Sequence, residues 1–155
     1  MIIMKDRIPL QIIEGRLILT AVIECKSLRV HRQVMDFVID TGSADSYFSQ
    51  KDVIKLQIPT VGKPSIGEVD FGGSRYKQIK LPKFKLYLLK EDKTKNDYIQ
   101  IDVELSALRT TKTSEERIRI AESLPSILGI DFLKNNKFSL HVILTEDLAF
   151  LQYEG

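Results

Sequence analysis

A short apolar run that ends in a carboxylate and a glycine constrains the fold of this chain more than any other segment. The run Phe37-Val38-Ile39 directly precedes Asp40-Thr41-Gly42. Aromatic and β-branched residues are typical of a strand buried on both faces, and Asp, Thr and Gly favour a tight turn after it. This pattern predicts a carboxylate on a sharp turn with a rigid base. The triplet alone is also compatible with an ordinary turn.

The segment that continues to Phe48 resembles the catalytic loop of the retropepsin-like aspartic proteases. Apolar residues precede the triplet, the small residue Ser43 follows it, and the remaining positions are compatible with that family's signature. The resemblance implies that Asp40 is the catalytic carboxylate. It also implies that Thr41 bonds across to a partner loop and that Gly42 accepts a hydrogen bond from the substrate backbone.

Two later segments occur in the order that this family shows. The run Ile127-Leu128-Gly129-Ile130-Asp131-Phe132-Leu133 resembles the element that crosses behind the catalytic loop, whereas its composition alone predicts a buried strand leading into a short helix. Between the two motifs, residues 67–79 alternate in polarity around Gly72-Gly73, which predicts a β-hairpin. The resemblance makes this hairpin the flap that closes over substrate. An ordinary surface hairpin is the alternative.

The resemblance also assigns residues expected to contact substrate. They follow the triplet, form the flap tip, or belong to the later glycine element: Ala44, Asp45, Phe71, Gly72, Gly73, Ile127 and Gly129. Retroviral members of the family usually have an acidic residue where this chain has Ala44, and Asp45 follows one position later. Asp45 either takes over part of that role or caps a turn.

Ser43 bears on the pH dependence of such a site. A hydroxyl that donates a hydrogen bond to a carboxylate favours the ionised form. With the Ser43 hydroxyl within reach of Asp40, we expect an acidic pH optimum, and Ser43→Ala should move that optimum upward.

The number of catalytic triplets predicts the oligomeric state. The chemistry needs two carboxylates that share one proton, but the 155 residues contain one Asp-Thr-Gly and no internal repeat. We therefore expect one retropepsin-like domain over residues 1–155 that acts as a symmetric homodimer, with an Asp40 from each copy. The apolar ends, Met1–Met4 and Leu148–Tyr153, are predicted to pair with the partner's ends; frayed tails are the alternative.

The rest of the chain predicts an all-β fold, namely a closed acid-protease β-barrel with a flap and one or two short helices. Polarity alternates over six further segments: Leu10–Ile13, Arg16–Glu24, Ser27–Val34, Lys80–Leu89, Tyr98–Leu105 and Phe138–Leu144. The polar run Lys90–Asp97 predicts a solvated hairpin loop.

An insertion over residues 106–123 lengthens the chain relative to compact retroviral enzymes. Thr113 and Glu116 have capping-box spacing and predict a helix that ends near Glu122, before Pro125. We expect this helix to pack on the outside of the barrel. A lid or a dimer contact is the alternative.

Composition argues against several other classes of protein. The net charge is +2 without a basic block, so neither nucleic acid nor a membrane surface is a predicted partner. Cys25 is the only cysteine, and His31 and His141 lie far apart, which predicts no disulfide, no metal and no cofactor. Hydrophobic residues are 43% of the chain, without a membrane-spanning run or an evident signal peptide. We therefore expect a cytoplasmic protein.

The sequence thus predicts an aspartic endopeptidase that cleaves extended polypeptides. One alternative is a non-catalytic dimeric barrel that binds peptides or a partner protein. Another is a processing enzyme of narrow specificity, which would ignore generic substrates yet still depend on Asp40.

Overall fold

The computed structural model describes residues 6–91, 97–110 and 114–155, and strands dominate it. Twelve strands lie in these ranges: β1 (Arg7–Ile13), β2 (Arg16–Cys25), β3 (Val30–Ile39), β4 (Tyr47–Phe48), β5 (Ser65–Phe71), β6 (Ser74–Lys80), β7 (Phe84–Leu89), β8 (Tyr98–Val103), β9 (Ser106–Thr110), β10 (Ile127–Leu128), β11 (Phe138–Ile143) and β12 (Leu148–Tyr153). The described α-helices are α1 (Gln50–Lys55), α2 (Glu115–Ser123) and α3 (Ile130–Asn135).

The strands pair in the order β11-β12-β1-β2-β3-β10-β4-β9-β6-β5, and β7 joins β8 to β2. Most neighbours are antiparallel, but β10 runs parallel to β3 and β4 runs parallel to β9. The prediction of a fold made mainly of strands is confirmed. The pairing runs from β11 to β5 without returning within the described residues, so the closure of the barrel stays a prediction.

Alternating burial explains why these segments form strands. In β7, for example, Phe84, Leu86 and Leu88 are buried, whereas Lys85 points outward. At the centre of the core, the ring of Phe48 lies 6.0 Å from that of Phe37 and 4.9 Å from that of Phe84, measured between centroids. Phe37 precedes the Asp-Thr-Gly triplet and Phe48 follows it, so the packed core fixes both ends of the loop.

The start of β3 differs from the prediction. The segment predicted as a strand from Ser27 begins instead with a 3₁₀ turn over Lys26–Leu28, and Arg29 has a positive φ of 57°. β3 then runs without a break from Val30 to Ile39. The two segments predicted as separate strands are therefore one ten-residue strand, which ends at Ile39 directly before Asp40.

The helices also depart from the prediction of one or two. α1 was not predicted; its N-cap is Ser49, whose hydroxyl accepts a hydrogen bond from the Asp52 N–H. α2 is the predicted helix, but its N-cap is Ser114, which accepts from the Arg117 N–H. No helix in the described ranges is long and apolar enough to cross a membrane.

The carboxyl-terminal segment contradicts the prediction of pairing between subunits. β12 pairs with β1 through Ala149↔Leu10, and with β11 through Ala149↔Val142. Both edges of β12 are thus used within its own chain. A strand has only two edges, so Leu148–Tyr153 has none left for a partner.

Some predictions concern residues outside the described ranges. Met1–Met4, the tip of the loop between β7 and β8, and Thr113 of the predicted capping box are among these. The hairpin itself is confirmed, because β7 and β8 pair as far as Leu89↔Tyr98.

Candidate active site

Asp40 extends from a strand end that is held on both sides. β3 pairs with β2 through Val38↔Ile18, and with β10 through Val38↔Ile127. One residue later, the Asp40 N–H donates to the Leu128 carbonyl, with an N···O distance of 3.0 Å. Because β3 is paired on both edges up to the residue before Asp40, the strand gives the carboxylate a rigid base.

The turn after Asp40 is built around its own carboxylate. Oδ1 of Asp40 accepts a hydrogen bond from the Gly42 N–H at 2.9 Å, and the Asp40 carbonyl accepts from the Ser43 N–H at 3.1 Å. A Cβ on residue 42 would lie 3.1 Å from Oδ1 of Asp40 and would crowd the carboxylate. Glycine at this position avoids that crowding. Asp40 is half-buried, whereas Thr41 and Gly42 are exposed. The loop therefore presents its carboxylate at the protein surface.

The Ser43 hydroxyl does not act on Asp40 as predicted. Its Oγ donates to the Asp45 carbonyl at 2.7 Å. A hydroxyl has one proton to donate, so in this arrangement none is left for the Asp40 carboxylate. Ser43 instead closes the far side of the loop.

Gly129 packs directly behind the loop. A Cβ at this position would lie 2.5 Å from the carbonyl oxygens of both Ser43 and Asp45. The first free N–H groups of α3 donate to the loop: Ile130 N–H to the Ser43 carbonyl at 2.8 Å, and Asp131 N–H to the Ala44 carbonyl at 3.2 Å. The loop thus satisfies donors that a helix start leaves unpaired. The predicted crossing behind the triplet is confirmed.

Ser46 and Asp131 form a second connection that was not predicted. The buried Ser46 hydroxyl accepts from the Gly129 N–H at 2.9 Å and donates to Oδ1 of Asp131 at 2.7 Å. The same oxygen accepts from the Phe132 N–H in the first turn of α3, at 2.8 Å. Asp131 belongs to the motif seen in the sequence, but nothing local indicates Ser46 as its partner.

A buried polar cluster secures the other end of the loop. Asp52 accepts hydrogen bonds from the hydroxyls of Ser126 and Ser49, and the Ser49 N–H donates to the Ser126 hydroxyl at 3.0 Å. All three residues are buried. Because buried polar groups are costly unless paired, this cluster fixes the start of α1 against the segment that leads into β10. It was not predicted.

Tyr47 ties the loop to the core beside it. This residue is buried, and its hydroxyl donates to Oδ2 of Asp45 at 3.3 Å. Burial raises the pKa of Tyr47 to about 12, and the negative charge of Asp45 raises it further. The Asp45 carboxylate therefore bonds to Tyr47, and its contact with substrate stays a prediction.

The neutral form of Tyr47 should stabilise the protein up to alkaline pH. A pKa raised from 10.0 to about 12 means that the folded state holds this proton more tightly. Its contribution is complete below pH 10 and is lost as the pH rises through the folded pKa of Tyr47. We expect Tyr47→Phe to flatten the fall in unfolding free energy over this range, measured by urea denaturation, with the exposed Tyr98→Phe as control. Parallel curves for Tyr47→Phe and wild type would contradict this.

The β-hairpin predicted around Gly72-Gly73 is confirmed, and its role as a flap stays a prediction. β5 and β6 are joined by Gly72 and Gly73 with φ of 58° and 80°, a two-residue turn that favours glycine at both positions. Arg75 pairs with Glu68 and Asp70 on the hairpin surface. Exposed pairs of this kind stabilise little. The hairpin is therefore held mainly by its strand pairing and its apolar face.

That apolar face packs on α2 and on Tyr47. Buried Tyr47, Tyr76, Leu108 and Ala121 form a cluster, against which Val69, Phe71 and Leu124 pack. At the tip, a Cβ on Gly72 would lie 2.6 Å from the Leu124 side chain. This contact between the inserted helix region and the hairpin tip was not predicted. It connects Phe71 and Gly72 to the segment that follows the catalytic triplet.

The predicted site residues thus fall into two connected groups. The loop group shares backbone hydrogen bonds and strand pairing: Asp40, Thr41, Gly42, Ser43, Ala44, Asp45, Ile127 and Gly129. The hairpin group reaches it through Tyr47: Phe71, Gly72 and Gly73. Cavities of about 390 and 270 Å³ occur elsewhere, and Asp40 lines neither. One lies between β3 and α1, and the other lies beside α3.

The chain matches no protein-family model, and it matches no curated protein. Among solved structures, it is similar to a retropepsin-like aspartic protease from Rickettsia conorii, with a TM-score of 0.57 and 15% sequence identity. The superposition covers 97% of this chain and 97% of that protein. At this identity the likeness shows the fold alone. The chain therefore has a β-rich fold of the retropepsin-like type.

Proposed function

We propose that this protein is an aspartic endopeptidase that acts as a symmetric homodimer. The observation that carries the proposal is the arrangement of Asp40, a half-buried carboxylate on a loop held from behind by Gly129. Such rigidity is what a reacting group requires. The retropepsin-like fold supports the same conclusion.

The chemistry requires two Asp40 side chains, one from each copy, on the two-fold axis. Like charges this close cannot both ionise, so the pair shares one proton. The ionised carboxylate takes a proton from the attacking water, while the protonated one donates to the carbonyl oxygen of the scissile bond. Collapse of the tetrahedral intermediate breaks the C–N bond, and the amine leaves with a proton from the dyad.

Thr41 and Gly42 support this chemistry. The Thr41 side chain is exposed and has no hydrogen bond within the described residues, which leaves it free to bond to the partner's loop. The exposed Gly42 carbonyl would accept from the substrate backbone. Gly72 and Gly73 would approach the substrate from the flap side. An extended peptide therefore fits best, because it pairs with the protein in the manner of a strand.

The flap base offers a further polar group to a bound substrate. The Tyr76 hydroxyl is buried beside Phe71 and has no hydrogen-bond partner in the described part of the chain. A buried hydroxyl without a partner is costly. Substrate, or a water molecule that accompanies it, would satisfy this hydroxyl only when the hairpin lifts, since Tyr76 is 1% exposed here.

Cleavage of a diverse peptide library between about pH 3 and 7 tests the proposal, because two carboxylates that share a proton operate in acid. Cut sites are determined by mass spectrometry for wild type and for Asp40→Asn. Cleavage by wild type alone supports the endopeptidase and reveals its sequence preference. If neither folded protein cuts any peptide or candidate partner protein, the non-catalytic peptide-binding barrel replaces it.

Ser43→Ala tests how the pH optimum is set. Because the Ser43 hydroxyl donates to the Asp45 carbonyl, we expect the substitution to leave the pH optimum unchanged. It should lower kcat/KM severalfold, since the loop loses a hydrogen bond. The measurement is a pH profile of kcat/KM on one library peptide. An upward shift of the optimum would show that in the dimer the hydroxyl turns toward Asp40.

A further inference from the structure

A cavity outside the candidate site has the size and the lining of a binding pocket. It lies between β3 and α1 and has a volume of about 390 Å³, within the range of about 300–1,000 Å³ that is typical of ligand pockets. Apolar side chains, among them Val34, Val38 and Pro125, line one part of it, and charged side chains line the rest. Val34 is 64% exposed, so the cavity opens to the surface.

This cavity lies on the same face of β3 as Asp40. Side chains alternate between the two faces of a strand, and the inward residues Phe37 and Ile39 are buried in the core. Val34, Val38 and, directly after the strand, Asp40 share the opposite face. From Asp40 to Val34 an extended chain covers about 20 Å. The cavity therefore continues, along one strand face, the surface that presents the carboxylate.

The two carboxylates of the cavity are already hydrogen-bonded within the protein. Asp52 is buried and accepts from the hydroxyls of Ser49 and Ser126. Asp36 accepts from the hydroxyl of Thr20, its partner across the β2–β3 pair. Both carboxylates are thus bonded to the protein's own hydroxyls and take no part in holding a ligand.

The two lysines of the cavity have no such partners. Lys51 and Lys55 lie one turn apart on α1, and both line the cavity. Neither ammonium group forms an ion pair or a hydrogen bond with the residues that the structure describes. Like charges at this spacing repel each other across one face of a helix. A negatively charged acceptor between them would relieve that repulsion, so the charge of the cavity favours an anionic ligand.

We propose that this cavity binds an acidic segment of the substrate polypeptide, remote from the scissile bond. The ammonium groups of Lys51 and Lys55 bind the carboxylates of the segment through charge-assisted hydrogen bonds. Apolar side chains of the segment pack on Val34 and Pro125. The proposal rests on the proposed function, because the occupant is part of the polypeptide that Asp40 cleaves.

The distance along β3 determines where the segment lies in the substrate. An extended peptide also advances about 3.3 Å per residue, so the cavity lies within reach of residues about four to six positions from the scissile bond. A symmetric dimer has two such cavities, one in each copy. An acidic segment on either side of the scissile bond can therefore reach one. Because the segment is tethered to the cleaved residues, its binding energy adds to theirs.

Acidic extension of a cleaved peptide tests the proposal. One library peptide is extended through a Gly-Ser linker with Glu-Leu-Glu-Leu, and a matched peptide carries Gln-Leu-Gln-Leu. At about pH 6, where glutamate is ionised, kcat/KM of the acidic peptide should exceed that of the neutral peptide at least about tenfold. This ratio should fall to about one in Lys51→Glu/Lys55→Glu, because the charge of the cavity is reversed.

The control for the kinetic test is Lys26→Glu/Lys85→Glu. Both lysines are exposed and lie outside the cavity, so this variant changes the net charge equally and should keep the preference for the acidic peptide. Equal kcat/KM of wild type for the two peptides would overturn the proposal. So would an equal loss of preference in both lysine variants, because the attraction would then come from the net charge alone.

Binding to a protein that cannot cleave provides a second measurement. Fluorescence anisotropy of labelled Glu-Leu-Glu-Leu is followed with Asp40→Asn, and circular dichroism checks each variant. Adding Val34→Ser should raise the dissociation constant at least about threefold, because the ligand loses apolar contact. The control is Val61→Ser, since Val61 is 89% exposed and lies outside the cavity. An unchanged dissociation constant in the Val34→Ser protein would overturn the contact with β3.

These experiments separate the binding of the acidic segment from the cleavage chemistry. If the labelled peptide binds in a manner that depends on Lys51 and Lys55 but wild type cleaves nothing, the acidic site stands and the proposed function fails. If wild type cleaves peptides in an Asp40-dependent manner without preference for the acidic extension, the function stands and the proposal for the cavity fails.

Discussion

Replacing Asp40 with asparagine is expected to abolish peptide cleavage while the protein stays folded. The amide can neither take a proton from water nor return one, and a single substitution removes both carboxylates of the dimer. We expect kcat/KM to fall by at least about 10³-fold, because the two groups act as a unit. The amide oxygen still accepts from the Gly42 N–H, so the turn survives. Steady-state kinetics and circular dichroism measure the two effects.

Asp36→Asn is the matched control for this substitution. Asp36 lies on the same strand as the base of the loop, is exposed, and accepts a hydrogen bond from the Thr20 hydroxyl at 2.5 Å. The substitution Asp36→Asn removes the same charge without changing the loop, so peptide cleavage should persist at near wild-type rates. If Asp40→Asn keeps more than about a hundredth of the activity, another group performs the chemistry.

Mixing wild type with Asp40→Asn tests whether each active site contains residues from two copies of the chain. When wild type and Asp40→Asn exchange subunits in equal amounts, about a quarter of the dimers carry both carboxylates. Activity per wild-type chain should therefore fall as the variant is added. A site contained in one copy would show no such loss.

Local sequence patterns were sufficient for the loop and the hairpin. Phe37-Val38-Ile39 shows the apolar run of a strand buried on both faces, and Gly72-Gly73 has the backbone freedom that a two-residue hairpin turn demands. Both signals come from neighbouring residues, so no knowledge of the tertiary structure is needed to interpret them.

The hydrogen bonds that hold the loop could not be predicted in this way. Ser46 and Asp131 are 85 positions apart, and Asp52 and Ser126 are 74 apart. Serine and aspartate are frequent at turns and helix starts, so nothing local selects these pairs. Only the crossing of β10 beside β3 brings them together.

Two corrections have the same physical origin. The apolar run of β12 suits pairing within one chain as well as between chains, and composition does not distinguish the two. The sequence suggested that the Ser43 hydroxyl donates to a nearby carboxylate, whereas in the fold it donates to the Asp45 carbonyl. In each case the residue type suited the predicted contact, but the fold supplied another acceptor or strand within the same chain.

Gly129→Ala should cost both stability and activity, although it adds only one methyl group. The glycine has φ of −95° and ψ of −164°, which alanine also adopts, so backbone strain is not the cause. The added Cβ would lie 2.5 Å from two carbonyl oxygens of the loop, Ser43 and Asp45. Both belong to backbone, which cannot rotate away. We expect the unfolding free energy to fall by about 1–3 kcal/mol.

The activity should fall further than this loss of stability explains. Relieving the overlap moves the loop away from α3 and weakens the bond from the Ile130 N–H to Ser43, so the Asp40 carboxylate is displaced. A displacement of about 1 Å is enough for a loss of about 10²-fold in kcat/KM. Gly67→Ala is the control, because a Cβ there meets nothing within 4 Å. Urea denaturation and kinetics at a temperature where both variants are folded separate the two effects. A Gly129→Ala protein with wild-type kcat/KM would mean that the contact behind the loop does not position Asp40.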